Sequence, residues 1–457
     1  MPMHDDGLQK GGRLEVRFEG LAEETGPATW GQRTIWAPIS WYAPDDHYFN
    51  IALPLELRRP VEPEAFGASL RALLERHESL RTLYRLAPDG SLEQRLHGRG
   101  MLPVRLVPAP AGEPVATALG RVAAQDRAVR FELLGDGLPL RVSAVLVDGL
   151  VAGAVLTVAH IAADGTGAQV VRDDLRRLLV QARRRPGTLP PPPPGRRPRE
   201  QAAYEAGPQA AARSNAAIGL WTRQLAGIPA SLWPEEAGPG EAERWWEGEL
   251  VCPRLDSASR VAAVRTGTSA SAVVLAAVGV ELGEHTGADA VPLKVIMGNR
   301  VSEAQRTAVG AFAQNGLVVL GTSGDFDELA QRAWRSQMQT FRHGHYDPGA
   351  LAAAVAEEGK RRGTELDLNA LFNDHREPDR PPGGGAAPEQ GDPDGLPAGR
   401  FGWRSRWARQ DCKFFFGLAH RDGEALATLL VDTRYFPAAE VEPFLRAVEE
   451  RVTRAAR

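Results

Sequence analysis

Five consecutive prolines, Pro190 to Pro194, constrain the folding of this chain more than any other stretch. Proline fixes φ and has no backbone N–H, so these residues favour extended polyproline II and exclude both a helix and a central strand. A chain of 457 residues is also too long for one ordinary core. We therefore predict a flexible lead-in at residues 1–24, an N-terminal lobe at 25–189, a proline- and arginine-rich linker at 190–209, and a C-terminal lobe at 210–457.

Helix and strand patterns are mixed in both predicted lobes. Apolar residues recur at helical spacing over Pro63–Arg76, which predicts an amphipathic helix. Two β-rich segments, Leu140–Val147 and Val151–Val158, are joined by Asp148-Gly149-Leu150, which is typical of a hairpin. This mixture predicts the α+β fold class.

A histidine, an aspartate and a glycine follow the second strand of that hairpin. Residues 159–165 read Ala-His-Ile-Ala-Ala-Asp-Gly and precede a helical pattern. His160 is a candidate for moving protons, because an unperturbed imidazole has a pKa of about 6.5. Asp164 can hold local geometry, and Gly165 can permit a positive φ or a close backbone approach. A structural histidine, buried and hydrogen-bonded, is the alternative reading of His160.

Three other segments occur along the chain with this stretch. Residues 29–36 read Thr-Trp-Gly-Gln-Arg-Thr-Ile-Trp, residues 76–84 read Arg-His-Glu-Ser-Leu-Arg-Thr-Leu-Tyr, and residues 309–312 read Val-Gly-Ala-Phe. In this order, and with residues 159–165 in third place, they resemble the SxAQxRLW, RHExLRTxF, HHxxxDG and VGxFVNT motifs of the condensation domains of nonribosomal peptide synthetases. The resemblance covers about residues 25–455.

This resemblance implies both a fold and an activity. The fold would be two chloramphenicol-acetyltransferase-like lobes in a V-shaped pseudodimer, with His160 facing a tunnel between them. The activity would join a carrier-bound acyl thioester to an amine, or a hydroxyl, in the biosynthesis of nonribosomal peptides or related natural products such as antibiotics. His160 would be the catalytic residue. Asp164, ion-paired to Arg300 across the lobes, and Gly165 would support the active site.

The same resemblance implies the partners. Substrates would be carried on the 4'-phosphopantetheine arms of acyl or peptidyl carrier proteins, and the chain would need no cofactor and no metal of its own. Carriers are commonly acidic, and arginines follow residue 160 in two groups, which predicts a docking surface for one carrier or, equally, a solvated helix and linker. These arginines are Arg172, Arg176, Arg177, Arg183, Arg184, Arg185, Arg196, Arg197 and Arg199.

Two departures from the family motifs leave other functions open. Ala159 stands where the family has the first histidine of HHxxxDG, and Phe415 stands where it has the aspartate of KFDL. One alternative is an inactive condensation-like domain that recruits partner proteins. Another is a CoA-dependent O- or N-acyltransferase, because Phe401-Gly402-Trp403 echoes the DFGWG motif of plant-type acyltransferases, although Arg400 replaces its aspartate.

Charge and composition argue against other classes of partner. The net charge is −4 and the pI is near 6.3, so electrostatics favour neither nucleic acid nor an acidic membrane. The two cysteines, Cys252 and Cys412, have no metal-ligand spacing and are typical of a reducing compartment. Met1–Arg13 contains no apolar signal-peptide core. We therefore expect a cytoplasmic protein without a membrane anchor.

Overall fold

The computed structural model describes residues 12–185, 187–376, 396–421 and 423–457. Its residue contacts divide the chain into two compact units. The first contains the chain up to Ala211 together with Gly298–Ala313, and the second contains Ala212–Met297 and Gln314–Arg457. The polypeptide therefore leaves the first unit, returns to it for residues 298–313, and leaves it again.

Helices and strands alternate along both units. The helices are α1 (Trp30–Tyr42), α2 (Pro63–Arg76), α3 (Val115–Arg127), α4 (Gly165–Arg184), α5 (Pro198–Glu205), α6 (Pro208–Leu225), α7 (Pro253–Thr266), α8 (Ala270–Thr286), α9 (Glu303–Arg306), α10 (Phe326–Arg342), α11 (Pro348–Arg362) and α12 (Val441–Ala455). The strands are β1 (Arg13–Phe18), β2 (Glu24–Pro27), β3 (Asn50–Val61), β4 (Thr82–Leu86), β5 (Leu92–Leu96), β6 (Gly100–Pro108), β7 (Leu140–Val147), β8 (Leu150–Ala159), β9 (Trp245–Cys252), β10 (Ala290–Met297), β11 (Gln314–Gly321), β12 (Ala370–Asp374), β13 (Arg400–Trp407), β14 (Phe414–Arg421) and β15 (Glu424–Asp432).

The first unit contains a five-stranded and a three-stranded sheet. The larger sheet has the order β1-β6-β7-β8-β3, and the smaller has the order β2-β5-β4. In the larger sheet β6 and β7 are parallel and the other neighbours are antiparallel. Helices α2 and α4 cover one face with apolar side chains such as Phe66 and Leu175, while α3 covers the other through Leu119 and Val122. Strand β8 therefore lies buried between two helical layers.

The second unit is built on a seven-stranded mixed sheet in the order β11-β10-β12-β14-β15-β9-β13. Helices α7, α8, α10 and α12 pack on one face, over buried side chains such as Leu293, Phe372 and Phe416. On the other face, α6 and α11 cover the β11 edge through Trp221 and Leu351. No single helix among the described residues is long and apolar enough to cross a bilayer; α7 and α8 meet that criterion only as a pair, and they are bent by 100°.

Two local predictions are confirmed. Helix α2 spans Pro63–Arg76, the range that the apolar spacing predicts. The hairpin of β7 and β8 turns at Asp148 and Gly149, whose φ angles are 51° and 80°. Two successive positive φ angles give a turn that matches the right-handed twist of the flanking strands, which is why Asp-Gly is favoured there.

The predicted domain boundaries differ from the structure in three places. Within the expected lead-in, β1 pairs with β6 from Arg13↔Arg105 to Phe18↔Gly100, while residues 1–11 lie outside the described residues. Within the expected linker, residues 198–205 form α5. Residues 298–313, expected in the C-terminal lobe, belong to the first unit. Strand β1 and residues 298–313 both contact residues that are distant in sequence, so local composition does not indicate these contacts.

Candidate active site

The turn that carries His160 is held by side chains from the Arg-His-Glu segment. Strand β8 ends at Ala159 and α4 begins at Gly165, and between them the Ala162 N–H donates to the Ala159 carbonyl at 2.8 Å. The Tyr84 hydroxyl donates to the Ile161 carbonyl at 3.2 Å, and the Ser79 hydroxyl donates to the carbonyl of Ala162. Residues 76–84 thus fix the backbone on which His160 stands.

His160 has the properties of a proton acceptor. Its side chain is half-buried, and its Nδ1 has no hydrogen-bond partner among the residues that the structure describes. Burial lowers the pKa of the imidazole, while the negative charge of Asp164 acts in the opposite direction. The pKa of His160 therefore lies below its ordinary value, and the imidazole is mainly neutral at pH 7. A neutral imidazole can accept a proton from an attacking group.

The contacts of Asp164 give it a structural role. Its carboxylate caps α4 by accepting from the Gly167 N–H at 2.8 Å. It also accepts from Arg300 Nη2 at 2.6 Å and from the Phe312 N–H at 3.0 Å. The side chains of Asp164 and Arg300 are 5% and 6% exposed, so this ion pair is buried. Both carboxylate oxygens are occupied by donors, which leaves Asp164 a positioning group rather than a proton acceptor.

The ion pair lies within the first unit and not across two lobes as the resemblance implied. Arg300 belongs to residues 298–313, which group with the first unit. Its Nη1 donates to the Ala308 carbonyl at 2.8 Å, its Nη2 also donates to the Gly310 carbonyl at 3.1 Å, and its guanidinium lies over the Phe312 ring at 4.7 Å. The Asp164 N–H donates to the same Gly310 carbonyl at 3.1 Å. This segment is therefore tied to the start of α4.

Gly167, rather than Gly165, is the glycine that this contact requires. Gly165 is exposed, has no positive φ, and a β-carbon added to it would meet no described atom within 4 Å. At Gly167 an added β-carbon would lie 3.0 Å from the Gly310 oxygen and 3.1 Å from Arg300 Nη2. The expected positive φ at Gly165 is absent, and the close approach to another segment lies two residues further along the helix, at Gly167.

His77 is part of the scaffold. Its Nε2 lies 3.0 Å from the Asp174 carboxylate, and Arg76 Nη1 lies 3.1 Å from the same group. Burial raises the pKa of Asp174, but the hydrogen bonds and charges of His77 and Arg76 outweigh it and hold that pKa below its usual range. The Arg-His-Glu segment thus fastens α2 to α4.

The structure explains how Ala159 is accommodated. Its side chain is buried in an apolar cluster with Ile39, Tyr84, Phe131 and Ile161. A histidine at this position would bury a polar ring there, which is costly unless the ring is hydrogen-bonded. This chain has a methyl group at that place instead.

The other departures from the motifs lie in the second unit. Phe415 is half-buried on β14 and packs against the cluster of Trp245, Cys412 and Leu430. Gln314, where the family has an asparagine, donates from Nε2 to the Tyr346 carbonyl at 2.8 Å. Within the part of the chain that the structure describes, no three histidine, cysteine, aspartate or glutamate side chains come together as a metal site.

Comparison with known proteins now identifies the family. The family model described as "Condensation domain" matches residues 22–375, most of the chain. The chain belongs to the condensation domain family. It is 28% identical over 349 residues to CymA of Salinispora arenicola (strain CNS-205), a probable non-canonical nonribosomal peptide synthetase, covering 73% of this chain and 4% of CymA. The chain spans 10% or less of the length of the first curated relatives it matches.

Solved condensation-type structures share the fold. The condensation domain of the enacyloxin polyketide synthase, described in connection with chain release, matches with a TM-score of 0.69 at 20% identity, covering 96% of this chain and 83% of that one. The X-domain in complex with OxyB from teicoplanin biosynthesis matches with a TM-score of 0.69 at 18% identity, covering 96% and 95%. These likenesses confirm the mixed α/β condensation fold that the motifs implied.

Proposed function

We propose that this condensation domain joins an acyl thioester on a carrier protein to an amine, or to a hydroxyl, of an acceptor. The observation that carries the proposal is His160, a half-buried imidazole that is mainly neutral at pH 7 and follows strand β8. Its Nδ1 has no hydrogen-bond partner among the described residues. A histidine kept only for packing would be expected to have its polar atoms bonded.

The proposed acyl transfer needs few other groups from the protein. The acceptor nitrogen or oxygen forms a bond to the thioester carbonyl carbon, and the carbon–sulfur bond breaks. His160 takes the proton from the attacking atom and returns it to the departing sulfur. General base work of this kind contributes about 10²- to 10⁴-fold to the rate. Asp164 and Arg300 act as positioning residues for the turn, and Gly165 begins α4, where the positive end of the helix dipole lies.

Acidic carrier proteins are the partners that we propose, and the structure narrows the arginines that could receive them. Arg172 and Arg176 are engaged by Asp173, and Arg197 and Arg199 by Glu78. The members of the predicted set that remain exposed lie along the second half of α4 and just after it. Two further exposed arginines lie at the neighbouring end of β3, where Arg183 donates to the Arg59 carbonyl. We call this set the α4 arginine surface; it comprises Arg58, Arg59, Arg177, Arg183, Arg184 and Arg185.

The test of the function compares three activities of one preparation. Loaded carrier proteins with an acceptor, an acyl-CoA with the same acceptor, and a partner pull-down are each measured, with mass spectrometry of the product in the first two. We expect product from the carriers. Product from acyl-CoA alone would instead indicate a CoA-dependent acyltransferase, and capture of a protein without any product would indicate a recruiting domain.

The role of His160 is tested by His160→Ala, which we expect to lower turnover by about 10²- to 10⁴-fold while the protein stays folded. His420→Ala is the matched control, because His420 is an exposed histidine that contacts Asp256 in the second unit. Turnover of the His160 variant equal to that of the control would reject a proton-handling role.

A further inference from the structure

A lysine without a partner among the described residues lies on β10, one strand in from the β11 edge of the second unit's sheet. Strand pairing aligns Lys294 of β10 with Leu317 of β11 on one side and with Leu371 of β12 on the other. Leu371 is aligned in turn with Phe415 of β14. Because paired residues on neighbouring strands point to the same face, these four side chains form one row. They lie on the face opposite to α7, α8, α10 and α12.

Three members of this row are partly buried and lie between two apolar clusters. At one end Leu317 is buried with Trp221 and Tyr346. Beyond the other end Leu430, aligned with Phe415, is buried with Trp245 and Cys412. Between them Lys294, Leu371 and Phe415 are only partly buried. The ammonium group therefore stands in a strip of apolar surface that the second unit's own side chains leave partly open.

No acidic side chain neutralises this lysine. Lys294 makes no hydrogen bond and no ion pair with any residue that the structure describes. The nearby carboxylate of Asp367 is bound by Lys413 Nζ at 2.8 Å and by the Ser231 hydroxyl at 2.7 Å. Burial lowers the pKa of Lys294, while Asp411, Cys412 and Asp367 act against that shift from a distance. A partly desolvated ammonium without a partner is unfavourable, and an uncharged side chain would serve packing better.

We propose that Lys294 binds a free carboxylate of a small-molecule substrate whose apolar part lies on Leu371 and Phe415. The inference rests on the proposed function only in taking the substrate to be a small molecule. One ammonium balances one carboxylate, whereas a dianionic phosphate would keep an uncompensated charge. The bound group is not the reacting carbonyl, since a thioester carries no negative charge. Lys294 is thus a specificity-determining residue.

The test observes the lysine directly. The chain contains only four lysines, so the full-length protein labelled with [¹³Cε]-lysine gives few side-chain signals, and Lys294→Met assigns the one from Lys294. Benzoate and octanoate are titrated against benzamide and octanamide, which have the same carbon skeletons without the charge. Lys360→Met, which removes an exposed lysine, is the matched control.

We expect the Lys294 signal to shift saturably with one of the carboxylates, and its amide to bind about 10- to 100-fold more weakly, as for loss of a charged hydrogen bond. The shift should survive in Lys360→Met. Equal shifts with acid and amide, or none at about 10 mM acid, roughly tenfold above a millimolar dissociation constant, would overturn the proposal. The measurement needs neither carriers nor turnover. Carboxylate binding at Lys294 can therefore be refuted while acyl transfer is observed, or observed while acyl transfer is not.

Discussion

Replacing Asp164 with asparagine should destabilise the first unit more than any substitution of similar size on the surface of α4. The amide keeps one oxygen, which can still cap the helix at Gly167. It loses the negative charge that Arg300 faces at 2.6 Å, and the nitrogen that replaces the other oxygen cannot accept from the Phe312 N–H. A buried arginine without its counter-charge is therefore the main cost.

The magnitude follows from what Arg300 retains. Breaking one side of a buried pair costs about 3–5 kcal/mol. Arg300 still donates to the Ala308 and Gly310 carbonyls and lies on the Phe312 ring. We therefore expect the lower end for Asp164→Asn, about 3 kcal/mol. Asp164→Ala also removes the helix cap and should cost about 1 kcal/mol more.

The measurement is urea unfolding of the full chain at pH 7, with hydrogen exchange of peptides from α4 to report on the first unit. Asp173→Asn is the matched control, since Asp173 lies on the same helix, is 44% exposed, and meets Arg176 at 3.4 Å. A surface pair of this kind should change stability by no more than about 0.5 kcal/mol. If the two variants unfold alike, the buried pair does not stabilise the fold and the reasoning is wrong.

Three further results are expected. In the pH profile of kcat/KM, the acid limb should have its midpoint below 6.5. Burial lowers the pKa of His160, and the neutral base is lost only below that pKa. A midpoint at or above 6.5 would contradict the assignment. Gly167→Ala should cost roughly 1–3 kcal/mol in an unfolding experiment, because its β-carbon crowds Gly310 and Arg300, whereas Gly165→Ala should leave stability unchanged or slightly higher. Replacing Arg183, Arg184 and Arg185 with serine should raise the apparent KM for one carrier without changing turnover at saturation. High salt should raise the same KM for the native protein. A KM that changes with neither the substitution nor the salt concentration would show that the carrier docks elsewhere.

Short-range features of the fold were predictable from the sequence. The Asp148-Gly149 turn and the amphipathic spacing of Pro63–Arg76 are local signals, and both elements have the predicted form. The alternation of charged and apolar residues over Arg13–Phe18 is also a local strand signal. The partner of this strand, residues 100–105, lies far along the chain, so the pairing could not be predicted from local sequence.

The candidate site also combines features that local sequence could show with features that depend on long-range packing. The position of His160 after a strand follows from the hairpin, and Asp164 and Arg300 were paired through the motif resemblance. Local sequence could not show that Arg300 belongs to the first unit, nor that Gly167 and Gly310 touch, since both depend on where residues 298–313 pack. Lys294 lies in an apolar strand pattern, and only the register across β11, β10 and β12 shows what surrounds it.

The return of residues 298–313 also has a consequence during synthesis. Gly31 and Gly195 lie in close contact with this segment. A β-carbon at Gly31 would collide with the backbone of Ala311, and one at Gly195 with the backbone of Thr307. A nascent chain that has emerged only as far as Ala211 lacks these contacts and the Arg300 partner of Asp164. At about 5–20 residues per second, the ribosome needs on the order of 4–20 s more to deliver them. The first half of the protein must therefore wait, incomplete, until much of the second has been translated.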